Sequence, residues 1–234
     1  MLRKIALALV AFPLVFAPSA AASTSSPPRF VPANFVDRVD NPWFPLTPGT
    51  VYVYRGMRDG QRSRDVVAVK RWRRSIMGIH ATVVQDRLFL DGRLAERTTD
   101  WYAQDRRGDV WYLGEATAEL DKRGRVTSRE GSWLTGRDGA QPGIYMPARP
   151  VVDSSGRQEF YKGHAEDHFR VLTLNASVTT PYVSSRAALL TREWTPLEPG
   201  VIDHKLYVRG VGTVREETVK GANELAILLS VRHV

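Results

Sequence analysis

IHATVVQDRLFLDGRLAERTTDWYAQDRRGDVWYL, residues 79–113, decides the fold. Asp91-Gly92 is a two-residue hairpin signal between two β-rich runs, 79–90 and 94–103. Asp105-Arg106-Arg107-Gly108-Asp109 is a second turn, and residues 110–113 begin a further strand. Nothing here has the three-and-four spacing of apolar residues that an amphipathic helix needs. The stretch therefore reads as consecutive antiparallel strands. With the second turn centred on Arg106 and Arg107, Trp101 pairs with Tyr112 and Tyr102 with Trp111. Trp101 and Tyr112 then share one face, and Tyr102 and Trp111 the other, so both faces need cover. The four are candidate ligand-binding residues in an apolar cleft; cross-strand core packing is the plain alternative.

Working outward, the same signals recur. Val51-Tyr52-Val53-Tyr54 leads through Asp59-Gly60 into Asp65-Val66-Val67-Ala68-Val69. Residues 184–190 are the one helix-compatible stretch. Tyr54-Arg55-Gly56 matches Tyr161-Lys162-Gly163, and 65–69 matches 167–171. Likewise 83–86 matches 189–192, and Tyr102/Gly108/Val110 matches Tyr207/Gly212/Val214. All β-meanders look alike, but four matches in one order at nearly one offset favour two similar halves. The expectation is a single all-β domain over 41–234 with a minor helix. Its antiparallel meander forms an open or partial β-barrel or curved sheet, with halves at 50–120 and 157–232. Residues 121–156 connect them. Trp133, Ile144, Tyr145 and Met146 argue for an ordered connection, expected to fold over one face or mouth of the sheet. Trp133, Tyr145 and Glu115 complete the candidate ligand-binding set.

The N-terminus predicts export. Arg3 and Lys4 precede thirteen uncharged residues, 5–17, and Ala20-Ala21-Ala22 gives a cleavage pattern before Ser23. That run is too short for a membrane span, which needs about 20 residues. There is no cysteine in the chain, so no lipid can be attached through one and no disulfide can form. A free protein outside the cytoplasm is expected, with no stable membrane span after cleavage. Residues 23–40 read as a flexible arm, followed by a Pro-rich ordered loop at 41–49. Loss of Arg3 and Lys4 lowers the formal net charge from +8 to +6. Outside the cell such a surface meets anionic envelope components rather than nucleic acid. The densest cluster, Lys70, Arg71, Arg73 and Arg74, also fits a solvated face.

Chemistry-bearing motifs are sparse. His164 and His168 would lie about 13 Å apart on a strand, too far for one ion, so no metal site is expected. No cofactor motif is present. Ser132 lacks the context of a nucleophile elbow, and the Asn175-Ala176-Ser177 sequon is a single match of the kind expected by chance. Asp100, Glu115, Glu130, Glu193 and Glu198 lie beside Trp or Gly and could converge as general acids and bases.

NPWFPLTPGT, TDWYAQDRRGDVWYLGE, EGSWLTGRDGAQPGIYMPA, RQEFYKGHAED and REWTPLEPG together resemble a family of uncharacterised secreted or lipid-anchored bacterial proteins common in actinobacteria. The resemblance covers about residues 41–231 and implies no activity and no catalytic residues; His164 stands where it leads one to expect an acid. In fold the meander is similar to the open barrels of lipoprotein carriers, an analogy only. Three functional readings follow. The first is a non-enzymatic binding module for an apolar or amphipathic envelope ligand. The second is a secreted hydrolase using carboxylates such as Glu115 and Glu130. The third is a surface protein meeting anionic wall polymers. Oligomeric state has no signal in the sequence.

Overall fold

The structure, a computed structural model, describes residues 30–234; the expected leader and cleavage site lie outside the described residues. A 3₁₀ turn at Pro32–Asn34 leads into β1 (Phe35–Val36). A meander follows: β2 (Thr50–Arg58), β3 (Gln61–Ile76), β4 (Ile79–Leu90), β5 (Arg93–Asp105) and β6 (Val110–Leu120). Its first three turns, Asp59-Gly60, Met77-Gly78 and Asp91-Gly92, hold both residues at positive φ. That is the two-residue geometry whose twist matches a hairpin. Short strands come next: β7 (Val126–Ser128), β8 (Trp133–Leu134), β9 (Gln141–Met146), β10 (Ser155–Arg157) and β11 (Glu159–Phe160). A second meander ends the fold: β12 (His168–Thr179), β13 (Ser184–Trp194), β14 (Ile202–Val208), β15 (Gly212–Lys220) and β16 (Glu224–His233).

Every ladder is antiparallel, and the strand order runs β10-β12-β13-β14-β15-β16-β2-β3-β4-β5-β6-β9-β11. The two ends of that order, β10 and β11, are neighbours in the chain, separated only by Gln158. Residues 155–160 thus form one broken strand, pairing with β12 at its start and with β9 at its end. Gln158 still donates its N–H to Asp167 O at 2.7 Å. The sheet becomes a nearly closed barrel with one unsealed seam. At that seam Gly143 of β9 lets two backbones meet: a Cβ there would sit 2.3 Å from Arg157 O and 2.4 Å from Gln158 C. Gly143→Ala is expected to open the seam and destabilise the fold by about 1–3 kcal/mol. Its mark would be faster amide exchange confined to 141–160 and 168–171.

Several expectations need correction. Residues 184–190 are strand, because β13 pairs with β12 on one side and β14 on the other, and ladder pairing overrides local helix preference. The 121–156 connection is not a cover over the sheet; it contributes β7, β8 and β9, all paired with β6. Nor is the arm free along its whole length. From residue 30 it is fixed, with Phe30 and Phe35 packed on Trp111 at 5.6 and 5.9 Å and β1 paired with β5. The 41–49 loop is anchored by Asn41, whose buried amide donates to Gly108 O and Pro147 O. The four matched sequence pairs fall on β2 and the turn after β11, β3 and the start of β12, β4 and β13, and the hairpins β5–β6 and β14–β15.

Candidate functional site

The aromatic hairpin sets the character of the barrel interior, and its register differs from the expectation by one residue. Tyr102 pairs with Tyr112, Ala103 with Trp111 and Gln104 with Val110. The turn is centred on Arg107 because Asp105 holds it: its carboxylate accepts from the N–H groups of Arg107 and Asp109 and from Trp111 Nε1. A one-residue slip exchanges the faces. Both tyrosines point into the barrel, stacked at 4.7 Å, and both tryptophans point out. Outside, Trp101 and Trp111 join Ile76, Ile79 and Leu113, with Arg74 capping Trp101 at 3.9 Å. Inside, Tyr145 of β9 meets Tyr102 at 5.1 Å and Tyr112 at 5.8 Å, and Trp133 of β8 meets Tyr112 at 5.4 Å. Tyr102, Tyr112, Glu115, Trp133 and Tyr145 are thus brought together; Trp101 and Trp111 are not among them.

The interior also gathers acids. Successive side chains on a strand point to opposite faces. Arg64-Asp65, Asp86-Arg87 and Glu96-Arg97 accordingly send each arginine out, exposed, and each acid in. Register then aligns the acids. Val67 pairs with Asp86, Val84 with Asp100, and Asp100 with Glu115. Asp65, Asp86, Asp100 and Glu115 form a diagonal row across β3–β6. A hydroxyl joins its last two members: Tyr112 OH lies 2.6 Å from Asp100 Oδ1 and 3.1 Å from Glu115 Oε2.

So many carboxyls can share a barrel only if several hold protons. Burial pushes Asp100 up to about 7, partly offset by the Tyr112 hydroxyl. Burial and then the Asp100 charge push Glu115 up to about 8. Asp86 is raised well above the usual range by burial and by its hydrogen bond with Asp65. Asp65 Oδ1 is buried with no conventional donor; the Asp86 proton supplies one. Glu159, bonded by Trp133 Nε1 at 2.6 Å, is likewise raised by burial and by Asp167. Tyr112→Phe removes the bond that favours charge on Asp100, so the Asp100 carboxyl should titrate above 7. Carboxyl carbon shifts followed across pH by NMR check this.

On the opposite wall stands a cation. Lys205 Nζ reaches Glu193 Oε2 at 2.9 Å and Glu216 Oε1 at 3.3 Å. Thr191 and Tyr207 hydroxyls donate to Glu193 Oε1 at 2.9 and 3.1 Å. Burial works against the Lys205 charge, but the two carboxylates outweigh it.

The walls leave space. A cavity of about 140 Å³ is lined by Tyr52, Tyr54, Tyr102 and Tyr145 together with Asp65, Asp86, Asp100 and Glu216, tyrosine and acid being interleaved where Tyr54 pairs with Asp65. Phe44, Pro45 and Leu46 of the 41–49 loop close one end. A second space of about 300 Å³ shares Tyr54, Asp65, Glu216 and Ala226, and continues to a mouth framed by Arg58, Glu198, Asp203 and Glu224. The lumen thus holds space walled by both polar and apolar groups, while side chains of the buried cluster such as Val171, Leu189, Tyr207 and Leu228 fill other parts of the interior.

No family model and no curated relative matches the chain. Two solved structures are similar in outline. One is a candidate exported protein with a YmcC-like fold from Bacteroides fragilis, 16% identical, covering 81% of this chain and 98% of its own, with a TM-score of 0.44. The other is a candidate lipoprotein from Parabacteroides distasonis, 14% identical with the same coverages and a TM-score of 0.39. At such identities and scores these likenesses carry neither a family nor a role to this chain.

The remaining sequence candidates lie elsewhere. Glu130 is exposed and paired with His164 at 2.8 Å, so the expected Glu115–Glu130 couple does not form in the lumen. His164 stacks on Tyr161 and His168 on Trp194. Among the described residues no group of three or more His, Cys, Asp or Glu is placed to hold a metal ion, and no helix is long and apolar enough to cross a membrane. Sequence reasoning missed Tyr52, Tyr54, Asp65, Asp86, Lys205 and Glu216; the signal available for Asp65 and Asp86 was the acid–base alternation.

Proposed function

We propose that this protein is an exported, non-enzymatic binding module whose barrel lumen holds a small amphipathic ligand, its cationic or hydrogen-bond-donating head among the carboxyls. The observation that carries the reading is the cavity wall, where four tyrosines and the acids Asp65, Asp86, Asp100 and Glu216 line one space. Tyrosine faces attract cations, carboxylates accept from ammonium donors, and the rings cover an apolar stem. A purely apolar ligand fits less well, since it would leave the remaining acceptor positions of these carboxyls unmet. The leader read in residues 1–22, and the resemblance to secreted actinobacterial proteins, support a site of action outside the cytoplasm. Titration with octylammonium and with octanoate, followed by tyrosine fluorescence, tests the reading. Octylammonium should bind, and Asp86→Asn/Asp100→Asn should weaken it at least about tenfold. Equal binding of both amphiphiles, or of neither, would sink the proposal.

One observation favours a second reading. Asp100 and Glu115, linked by one phenol and pushed to about 7 and 8, have the proton affinities of a general acid–base pair near neutral pH. A hydrolase of this kind would lose turnover in Asp100→Asn while keeping substrate affinity; a binding module would lose affinity.

A further inference from the structure

The parity that turns Asp86 and Glu96 inward turns Arg87 and Arg97 outward, and β4–β5 register sets these arginines directly opposite one another. Cross-strand neighbours stand about 5 Å apart at Cβ, where like charges repel. Among the described residues neither arginine forms an ion pair, nor does Arg129. Yet Arg129, from the turn after β7, is brought to the same place. The three line a concavity of about 250 Å³ on the outer face of the barrel, with the polar Gln85 and Thr99 beside them and Ala118 beneath. Small residues, Ala116 and Ala118, keep the hollow open, and among the described residues Asp86 is the one acid on its wall.

We infer that this hollow is an oxyanion site that takes a phosphate group, held by Arg87, Arg97 and Arg129 with the Gln85 amide and Thr99 hydroxyl as further donors. Planar guanidinium forks suit phosphate oxygens, which they bind in pairs. A phosphate between the facing arginines turns their repulsion into attraction. Its arginines stand on the face opposite the lumen and ask for the opposite charge, although Asp86 borders both spaces. Free phosphate and the headgroup of an anionic lipid present the same chemistry.

Since the chain as a whole is basic, with a formal net charge of +8, the test separates a site from diffuse attraction. Inorganic phosphate is titrated calorimetrically into the wild-type protein, into Arg87→Gln/Arg97→Gln, and into Arg62→Gln/Arg64→Gln, which removes the same charge from neighbouring β3. Phosphatidylglycerol and phosphatidylcholine vesicles are cosedimented with each. The Arg87/Arg97 variant should lose at least about tenfold in affinity and the Arg62/Arg64 variant no more than about twofold. Loss of phosphate binding alone marks free phosphate as the source; the same order of loss on phosphatidylglycerol vesicles marks a headgroup. Relief of repulsion means the Arg87/Arg97 variant should melt no lower than wild type, so lost binding is not lost fold. Equal losses in both variants, or no binding of phosphate and of phosphatidylglycerol vesicles by wild type, would overturn the inference.

Discussion

Lys205→Ala is expected to cost the fold about 3–5 kcal/mol at neutral pH, as removal of one partner from a buried ion pair does. The lysine stands between Glu193 and Glu216, at 2.9 and 3.3 Å, in a barrel whose other titratable walls are acidic. Without it, Glu193 and Glu216 lose the cation between them, and Glu216 is left with the weaker attraction of Arg58. The alanine also leaves the space of a long stem empty. Urea unfolding measures the loss as a fall in midpoint at unchanged slope. Burial raises the Glu216 proton affinity, and Lys205 restrains that rise; in the variant the restraint is gone and the carboxyl takes up a proton more readily. The penalty should therefore shrink as pH falls from 7 towards 5. A penalty independent of pH would mean that lost packing, rather than uncompensated charge, sets the cost.

Stability of the wild type should itself fall as pH rises from about 4 to about 8. Asp100 and Glu115 bind protons more tightly folded, at about 7 and 8, than at their ordinary values of 3.8 and 4.5. Over that window the native state carries more protons than the unfolded chain, so each rise in pH favours unfolding. Their contribution is fully present below the unfolded values and is lost as pH passes the folded ones. Asp86, Glu159 and Asp167 are shifted the same way, burial first. The opposite limb is weaker: Asp40 is held below its ordinary value by the Gln104 amide, so its contribution is lost as pH falls below about 4. The melting temperature should peak near pH 4–5, below the range where most proteins are most stable. For Asp100 alone the shift corresponds to about 4 kcal/mol between the ends of the window. Asp100→Asn keeps an acceptor for Tyr112 and carries no titration. It should be near neutral at pH 5 and stabilising at pH 8. A melting temperature rising from pH 5 to pH 8 would contradict the protonated row.

The meander was readable because its punctuation is local. Asp59-Gly60 and Asp91-Gly92 are turn residues by chemistry, and the apolar runs beside them alternate. Met77-Gly78 adopts the same left-handed pair, but methionine does not announce it. The hairpin after β5 shows how little separates a right element from a wrong face. Asp105 caps its own turn with three donors and moves the centre by one residue, which no spacing rule would reveal. That residue decides whether tyrosines or tryptophans line the lumen. The acids were hidden for a related reason. Arg64-Asp65 or Asp86-Arg87 reads as a solvated strand, and only closure of the sheet makes one side of it an interior. Closure rests on β10 and β11, strands of a few residues whose partners lie in β12 and β9, a pairing that is tertiary throughout.

A lumen built as proposed carries a small amphipathic molecule in the protein's own host. Native mass spectrometry of the protein isolated from the organism that makes it tests this most directly. A discrete mass above that of the chain is predicted, removed by mild denaturation and absent from Asp86→Asn/Asp100→Asn prepared in the same way. A clean mass of the chain alone, in wild type and variant alike, would contradict it.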